Sequence, residues 1–367
     1  MKIAILGTRG IPNSHGGFEQ FAEFFSVYLQ QNSVDVSVYC SSNHPNKETT
    51  FKGVKRILCH DPEEKMGTVG QFIYDLNCIR DARKRNFDVI LQLGYTSNSV
   101  WYFYLPKKSV IVTNMDGLEW KRTKYSKAVQ RFLKFAEKLA VKHSDFLISD
   151  SIGIQAYLQK EYGAESNFIA YGATVFEKPN VQPLSSLQLQ PYCYDLIIAR
   201  MEPENNIETI IKGYLKNPTD RKLVIVGNYQ NTPFGRYLFD TYIHHSKIRF
   251  VGAIYDMEML DNVRYFSNIY FHGHSVGGTN PSLLEAMATH CCIVAHDNIF
   301  NRSILGKDAL YFKNEDDLSY LLSIDKNHGD IQEKTHNNIE KIRCIYQWDT
   351  IHKAYLDYIK KCLQKKK

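Results

Sequence analysis

A short apolar run closed by glycine, then an amphipathic helix, then a strand: this unit recurs almost to the end of the chain and limits its folds more than any other feature. "KIAILG" (2–7) leads into "GFEQFAEFFSVYLQQ", where Phe18, Phe21, Ala22, Phe25 and Leu29 fall at helical spacing, and "DVSVYCS" follows as a strand. A β-α-β beginning of this kind starts a parallel sheet. The same order continues through "GQFIYDLNCIRDARKR", "DVILQLG", "SVIVTNMDG", "YSKAVQRFLKFAEKLAVKHS", "DFLISDS" and "NFIAYGA", and it describes a doubly wound domain over residues 1–172.

The text then changes. "TVFEKPNVQPLSSLQLQPYC" carries Pro179, Pro183 and Pro191 without a helical or strand period, which reads as a linker over 173–192. After it the alternation restarts with "YDLIIAR", "NNIETIIKGYLKN" and "KLVIVGN". A second doubly wound domain is expected over 193–344. Pattern alone leaves open whether the aromatic-rich helical segment 345–367 stays with that domain or returns to the first.

Composition agrees with two packed domains: of 367 residues, 44% are hydrophobic and 23% charged. "MKIAILGTRG" breaks at glycine before a signal peptide could complete its apolar region, so a cytoplasmic location is expected. The eight cysteines form no CxxC pair, so neither a zinc site nor a disulfide framework is implied. The net charge of +6 is concentrated in "EWKRTKYSKAVQRFLKFAEK" (119–138) and in the tail "YIKKCLQKKK". Such clusters suit an anionic membrane surface or nucleic acid, or simply a solvated helix face.

Ligands of doubly wound domains bind outside the carboxyl ends of the strands, and two tandem domains present those ends across a crevice. Four loops there carry the chemistry. In "GTRGIPNSHGGFEQF", Gly16 and Gly17 open the first helix, whose free N–H groups suit a phosphate. The spacing is not GxGxxG, and "DVSVYCSSN" ends without the acid that would hold a ribose, which argues against a nicotinamide dehydrogenase. In "TNMDGLEWKR", Asp116 and Glu119 follow a buried strand and are candidates for a base or a hydroxyl ligand. In "LIIARMEPENN", Arg200 ends a strand where it can neutralise a diphosphate. In "FHGHSVGGTNPSLLEAMATH", Asn280 is a helix N-cap and Pro281 fits the first helical position. Gly277 and Gly278 leave the approach unobstructed, so that the amides of the loop, with Thr279 and Asn280, and of the first helical turn can grip a diphosphate, and Glu285, one turn in, is placed for a sugar hydroxyl.

The ordered set "GTRGIPNSHGGFEQFAE", "NMDGLEWKRTKYSK", "SDSIGIQAYL", "IAYGA", "ARMEPENNIETIIKGY" and "GGTNPSLLEAMA" resembles the family 4 glycosyltransferases of the GT-B fold, closest to the bacterial rhamnosyltransferase branch, from residue 1 to about 300. The resemblance implies two Rossmann-like domains and a last helix that returns to the first domain. It implies metal-independent, retaining sugar transfer without a cofactor. Arg200 would then bind the diphosphate, Glu285 the nucleotide ribose, Gly17 a phosphate from the opposite wall, and the amides near Thr279–Asn280 the phosphate or sugar. Gly277 stands where the wider family has the first Glu of Glu-x7-Glu, Asn205 where it has a lysine, and Asp116 where many relatives have a histidine.

The donor implied is dTDP-L-rhamnose and the acceptor a lipid-linked saccharide of a cell-surface polysaccharide, made at the inner face of the cytoplasmic membrane; nucleic acid is not an expected partner. A UDP- or GDP-sugar donor and a noncatalytic sugar or nucleotide binder are the alternative readings. Departure of the diphosphate with same-face attack would retain configuration, whereas Asp116 acting as a base would invert it.

Overall fold

In the computed structural model, which describes all residues except His15, Asp116, Thr123, Lys124, 324–328 and Lys367, the chain divides into two compact units. The first comprises residues 1–121, 125–171 and 348–367, and the second 122–124 and 172–347.

Unit 1 is built on eight strands: β1 (Lys2–Leu6), β2 (Asp35–Ser41), β3 (Thr50–Phe51), β4 (Val54–Cys59), β5 (Val89–Leu93), β6 (Val110–Asn114), β7 (Phe146–Ser149) and β8 (Asn167–Phe168). They lie in the order β3-β4-β2-β1-β5-β6-β7-β8, parallel except for the β3–β4 pair. The central strands are continuous apolar runs because helices cover both faces of such a sheet. Ile3, Ala4, Ile5, Val89, Ile90 and Leu91 are fully buried, and Ile3 pairs with both Val36 and Val89. The helix Thr68–Ala82 covers one face through Tyr74, Cys78 and Ile79.

The last helix, Trp348–Lys366, also belongs to unit 1. Its Tyr355 ring packs 4.6 Å from Phe21 and 5.4 Å from Phe25 of the first helix, Gly17–Gln31, and the Tyr355 hydroxyl accepts a 2.8 Å hydrogen bond from the Asn114 side chain at the end of β6. Phe21, Phe25 and Tyr355 are all nearly inaccessible, and burying an apolar side chain contributes roughly 1.5–3 kcal/mol each.

Unit 2 carries β9 (Tyr194–Ile198), β10 (Lys222–Val226), β11 (Ile248–Gly252), β12 (Tyr270–His272), β13 (Ile293–His296) and β14 (Leu310–Phe312), ordered β11-β10-β9-β12-β13-β14 and wholly parallel. This is the doubly wound order, with its switch between β9 and β12. Ile197, Ile210, Ile211, Leu223, Ile225, Phe271 and Val294 form part of its core.

Two segments differ from the sequence reading. The hairpin β3–β4 lies in a stretch to which the sequence reading assigns no element: Lys52 and Gly53 make its turn at positive φ, and β4 contains Arg56, a poor strand signal that is nonetheless buried. Arg56 is tolerated because it donates to the Asn46 carbonyl and side chain, each at 2.8 Å, and meets the His44 ring at 3.1 Å. The proline-rich stretch is not an open connection either. Pro183 starts the short helix Pro183–Ser186, Leu184 is fully buried, and the amides of Phe176 and Tyr192 donate to the carbonyls of Ala288 and Phe266. The fixed φ of proline and one deeply placed leucine secure a segment that has no period of its own.

Candidate functional site

At the switch point of unit 2, the loops after β9 and β12 are clamped together. The Asn206 side chain donates to the Gly273 carbonyl at 2.8 Å, and the Ser275 amide and hydroxyl both donate to the Glu204 carbonyl, at 3.0 and 2.8 Å. Gly273 is required by proximity: a Cβ there would lie 2.0 Å from the Asn205 carbonyl oxygen. Asn205 is buried and donates to the Arg200 carbonyl at 2.7 Å, so it fixes the backbone that presents the arginine. The Arg200 side chain itself is 67% exposed, with its guanidinium 3.9 Å from Glu202. That separation is a loose ion pair, which leaves most of the guanidinium to solvent or a ligand.

Beside it stand two histidines, His272 at the end of β12 and His274 on the loop that follows. Their rings stack at 4.4 Å, and His272 is fully buried. Neither nitrogen of His272, nor Nδ1 of His274, has a hydrogen bond among the described residues. Burial holds His272 far below the usual imidazole range, with His274 adding to the effect. His274 is pushed down to about 3 by burial and then by the positive charges of Arg200 and Arg122. Both are neutral at pH 7, so the positive charge at this end of the sheet comes from arginine.

Next comes the helix Pro281–Ala288. Asn280 caps it, its side chain accepting from the Ser282 amide at 3.0 Å, and Pro281 occupies the first position. The first turn carries no acidic residue. The backbone N–H groups of Gly277, Gly278 and Asn280 make no hydrogen bond among the described residues, whereas Thr279 is buried and partnered. Gly277, at φ +142, has open space where a Cβ would be. Unused amides at a helix N-terminus that lacks carboxylates are a setting that favours an anion over a cation.

Glu285 lies one turn further on and is held by Arg264, which donates a hydrogen bond to it. Arg264 is 1% exposed and also donates to Asp261 at 3.0 Å. Glu285 keeps 19% of its side chain accessible, and its second oxygen has no hydrogen bond among the described residues. A carboxylate fixed through one oxygen and open at the other is an acceptor for a ligand hydroxyl. Sequence reasoning missed Arg264. The signal for it is a charge at core spacing in the helix Met257–Tyr265, one residue after the buried Val263 and four after the buried Leu260.

The corresponding loop of unit 1 is built differently. Gly7 at φ +90 passes so close to β5 that a Cβ would lie 2.2 Å from the Leu93 carbonyl oxygen. Gly16 caps the first helix and Gly17 starts it, but carboxylates from that helix fill the approach. Glu19 accepts from the Arg9 amide and Glu23 from the Asn13 amide, both at 2.8 Å. Arg9 in turn meets Glu63 at 2.5 Å. A Cβ on Gly16 would lie 3.4 Å from the Glu19 carboxylate, a neighbour that disfavours a phosphate.

Of the two sequence-proposed catalytic residues, Asp116 lies outside the described residues. Glu119 begins a short helical turn, Glu119–Lys121, its amide donating to the Gly117 carbonyl at 2.9 Å. The next residue, Trp120, is anchored by its indole N–H to Glu137 at 3.1 Å. Glu137 is buried and also accepts from the hydroxyls of Tyr157 and Tyr162, each at 2.6 Å, and from Tyr95 and Lys134. This network holds the segment after β6, and Glu137, its centre, carries the same kind of sequence signal as Arg264: a charge at core spacing, one residue after the buried Ala136 and four after the buried Leu133. Arg200, Gly278, Thr279, Asn280 and Glu285 all lie in unit 2, in the loops and the helix that follow its strands; Gly16, Gly17 and Glu119 lie in unit 1. Among the described residues, no group of three or more His, Cys, Asp or Glu is placed to hold a metal ion.

Two parallel-sheet α/β units with these strand orders define the GT-B fold, and known structures agree. The chain is similar to sucrose-phosphate synthase from Thermosynechococcus elongatus, at TM-score 0.80 and 16% identity over 98% of both chains. It is also similar to Anabaena HepE in complex with UDP and glucose, at TM-score 0.74 and 12% identity over 98% of this chain and 100% of that one. A trehalose-phosphate synthase (UDP-forming) from Burkholderia vietnamiensis matches at TM-score 0.72 and 11% identity, over 98% and 99%. Residues 1–174 match a family described as a domain of unknown function, DUF1972. No curated protein matches the sequence.

Proposed function

We propose that the protein is a glycosyltransferase that takes a sugar from a nucleotide diphosphate donor bound in unit 2. The observation that carries this reading is the set of amides at Gly277, Gly278 and Asn280, unpaired among the described residues, on a loop clamped to the one that presents Arg200 and followed by Glu285 locked on Arg264. The amides and Arg200 receive the diphosphate, and the open oxygen of Glu285 accepts a ribose hydroxyl. In the transfer step the bond from the anomeric carbon to the phosphate oxygen breaks and a bond to the acceptor oxygen forms on the same face. The acceptor proton passes to the departing diphosphate, whose charge Arg200 and the amides stabilise. Asp116 and Glu119 then serve the acceptor side.

For the sugar we propose L-rhamnose from dTDP-L-rhamnose, on the strength of the motif resemblance, with a lipid-linked saccharide as acceptor. A UDP-sugar donor is a second reading, supported by the similar Anabaena protein, which has been solved with UDP and glucose. Thermal unfolding with dTDP, UDP, GDP and their sugars separates the two. A ligand at roughly a hundredfold excess over its dissociation constant stabilises by about 2.7 kcal/mol. Selective stabilisation by dTDP species, lost in Arg200→Ala, is the expected result. A preference for UDP species replaces the donor, and no response to any nucleotide overturns the reading.

A further inference from the structure

Unit 1 carries an apolar face that none of its own elements covers. Phe103 and Phe135 are each 54% exposed and Val69 58%; Tyr102, Val129 and Phe132 are exposed as well. These side chains come from three segments that brace one another. The Trp101 indole N–H donates to the Phe72 carbonyl at 2.8 Å, the Phe72 and Phe132 rings lie 5.7 Å apart, and Tyr102 stacks on His143 at 3.7 Å. The middle of the face is the outer side of the helix Lys127–His143, where Phe132, Phe135 and Leu139 follow helical spacing between Arg131, Lys138 and Lys142. Lys107 and Lys108 are exposed beyond Phe103.

Within the three segments that form this face the charges are of one sign, the exposed Glu64 and Asp145 lying just outside them. Residues 66–72, 99–110 and 125–143 together contain a single carboxylate, Glu137, which is 1% exposed and turned inward to Trp120, Tyr157 and Tyr162. Lys134 is directed to Glu137 and Glu161 and does not contribute to the rim. An exposed aromatic ridge flanked by long cationic side chains suits a surface that is apolar beneath and anionic above. The rings enter the boundary between acyl chains and headgroups, while Arg131, Lys138 and Lys142 reach the phosphates. Among the described residues no helix is long and apolar enough to cross a membrane.

We infer that this face, formed by Val69, Tyr102, Phe103, Phe132 and Phe135 with the Arg131, Lys138 and Lys142 rim, is where the protein inserts shallowly into an anionic phospholipid bilayer. The inference goes beyond the basic clusters at 119–138 and in the tail, which the sequence offers only as electrostatic contacts, because it assigns the binding to insertion of exposed aromatic side chains from three segments of unit 1. It gives the proposed lipid-linked acceptor a physical setting but does not need the donor assignment, which nucleotide-dependent melting tests separately.

The test is flotation of the full chain with vesicles of phosphatidylcholine alone or with phosphatidylglycerol added. Wild type is expected to float with the anionic vesicles and not with the neutral ones. Phe103→Ser with Phe135→Ser, at exposed positions, is expected to keep the wild-type melting temperature and nucleotide response while binding at least tenfold less. Lys138→Glu with Lys142→Glu is expected to lose a similar factor, whereas Lys360→Ser with Lys361→Ser in the last helix changes binding less than twofold. Full binding by the double phenylalanine variant overturns the inference, as does absence of wild-type binding to anionic vesicles at low salt. A concentration-dependent dimer that the phenylalanine variant abolishes overturns it too, because the face would then belong to a second copy.

Discussion

The first loops of the two sheets make the most instructive comparison in the molecule. Both follow the innermost strand of a doubly wound sheet, and topology alone would give both the same task. In unit 1 the loop after β1 is closed by its own helix: Glu19 and Glu23 take its amides, and Arg9 is only 18% exposed and tied to Glu63. In unit 2 the loop after β9 leaves Arg200 67% exposed, and the helix N-terminus after β12 keeps amides unpaired among the described residues. Strand order therefore places a loop where a ligand can bind, but the distribution of carboxylates decides whether an anion is welcome there.

The largest effect expected from probing this contrast is on the support beneath Glu285. Arg264→Ala leaves Glu285 and Asp261 without their buried partner and should cost about 3–5 kcal/mol, read from urea unfolding; a loss under about 1 kcal/mol would mean that the pair does not anchor the unit 2 site.

A somewhat smaller effect belongs to unit 1. Asp75 is buried, and burial raises its carboxyl to about 6 against a hydrogen bond from Ser97 that pulls it down. An acid raised in the folded state is neutral without penalty at low pH and becomes destabilising as pH rises from about 4 through 6. Asp75→Asn should therefore stabilise by about 2–3 kcal/mol at pH 8 and by almost nothing near pH 4. Melting curves across that range check the slope, and a pH-independent difference would show that the charge is not the cause.

Exchanging the two arginines sharpens the comparison directly. Arg200→Ala should weaken nucleotide binding by about 1.5–3 kcal/mol with little change in the melting temperature of the free protein. Arg9→Ala should do the opposite, costing about 1 kcal/mol of stability while leaving nucleotide binding intact. Loss of nucleotide binding in Arg9→Ala would break the contrast. The smallest effect is that of Glu19→Gln, which weakens a charge-assisted bond to the Arg9 amide by about 0.5–1 kcal/mol. Calorimetry should then show whether phosphate affinity in unit 1 rises once that carboxylate is neutral.

Much of this organisation was legible in the chain. Apolar runs ending in glycine placed β1, β5 and β10, and "GGTNPSLLEAMA" read as a capped helix start because proline at the first position and asparagine before it have local reasons. Arg200 was recognisable as a cation at a strand end. The β3–β4 hairpin was not, since its strand hides a buried arginine whose partners include loop carbonyls.

Local chemistry thus determined the elements, the two sheets and most of the loops that carry candidate ligands, because propensity, capping and hydrophobic period are properties of neighbours in the chain. Tertiary structure alone decided which loop is closed and which is open. Glu19 and Arg9 are ten residues apart, Arg264 and Glu285 twenty-one, and the Asn206 side chain meets Gly273 across sixty-seven. Whether a charge is satisfied or left for a ligand depends on partners brought together by the fold, and no short-range pattern records them.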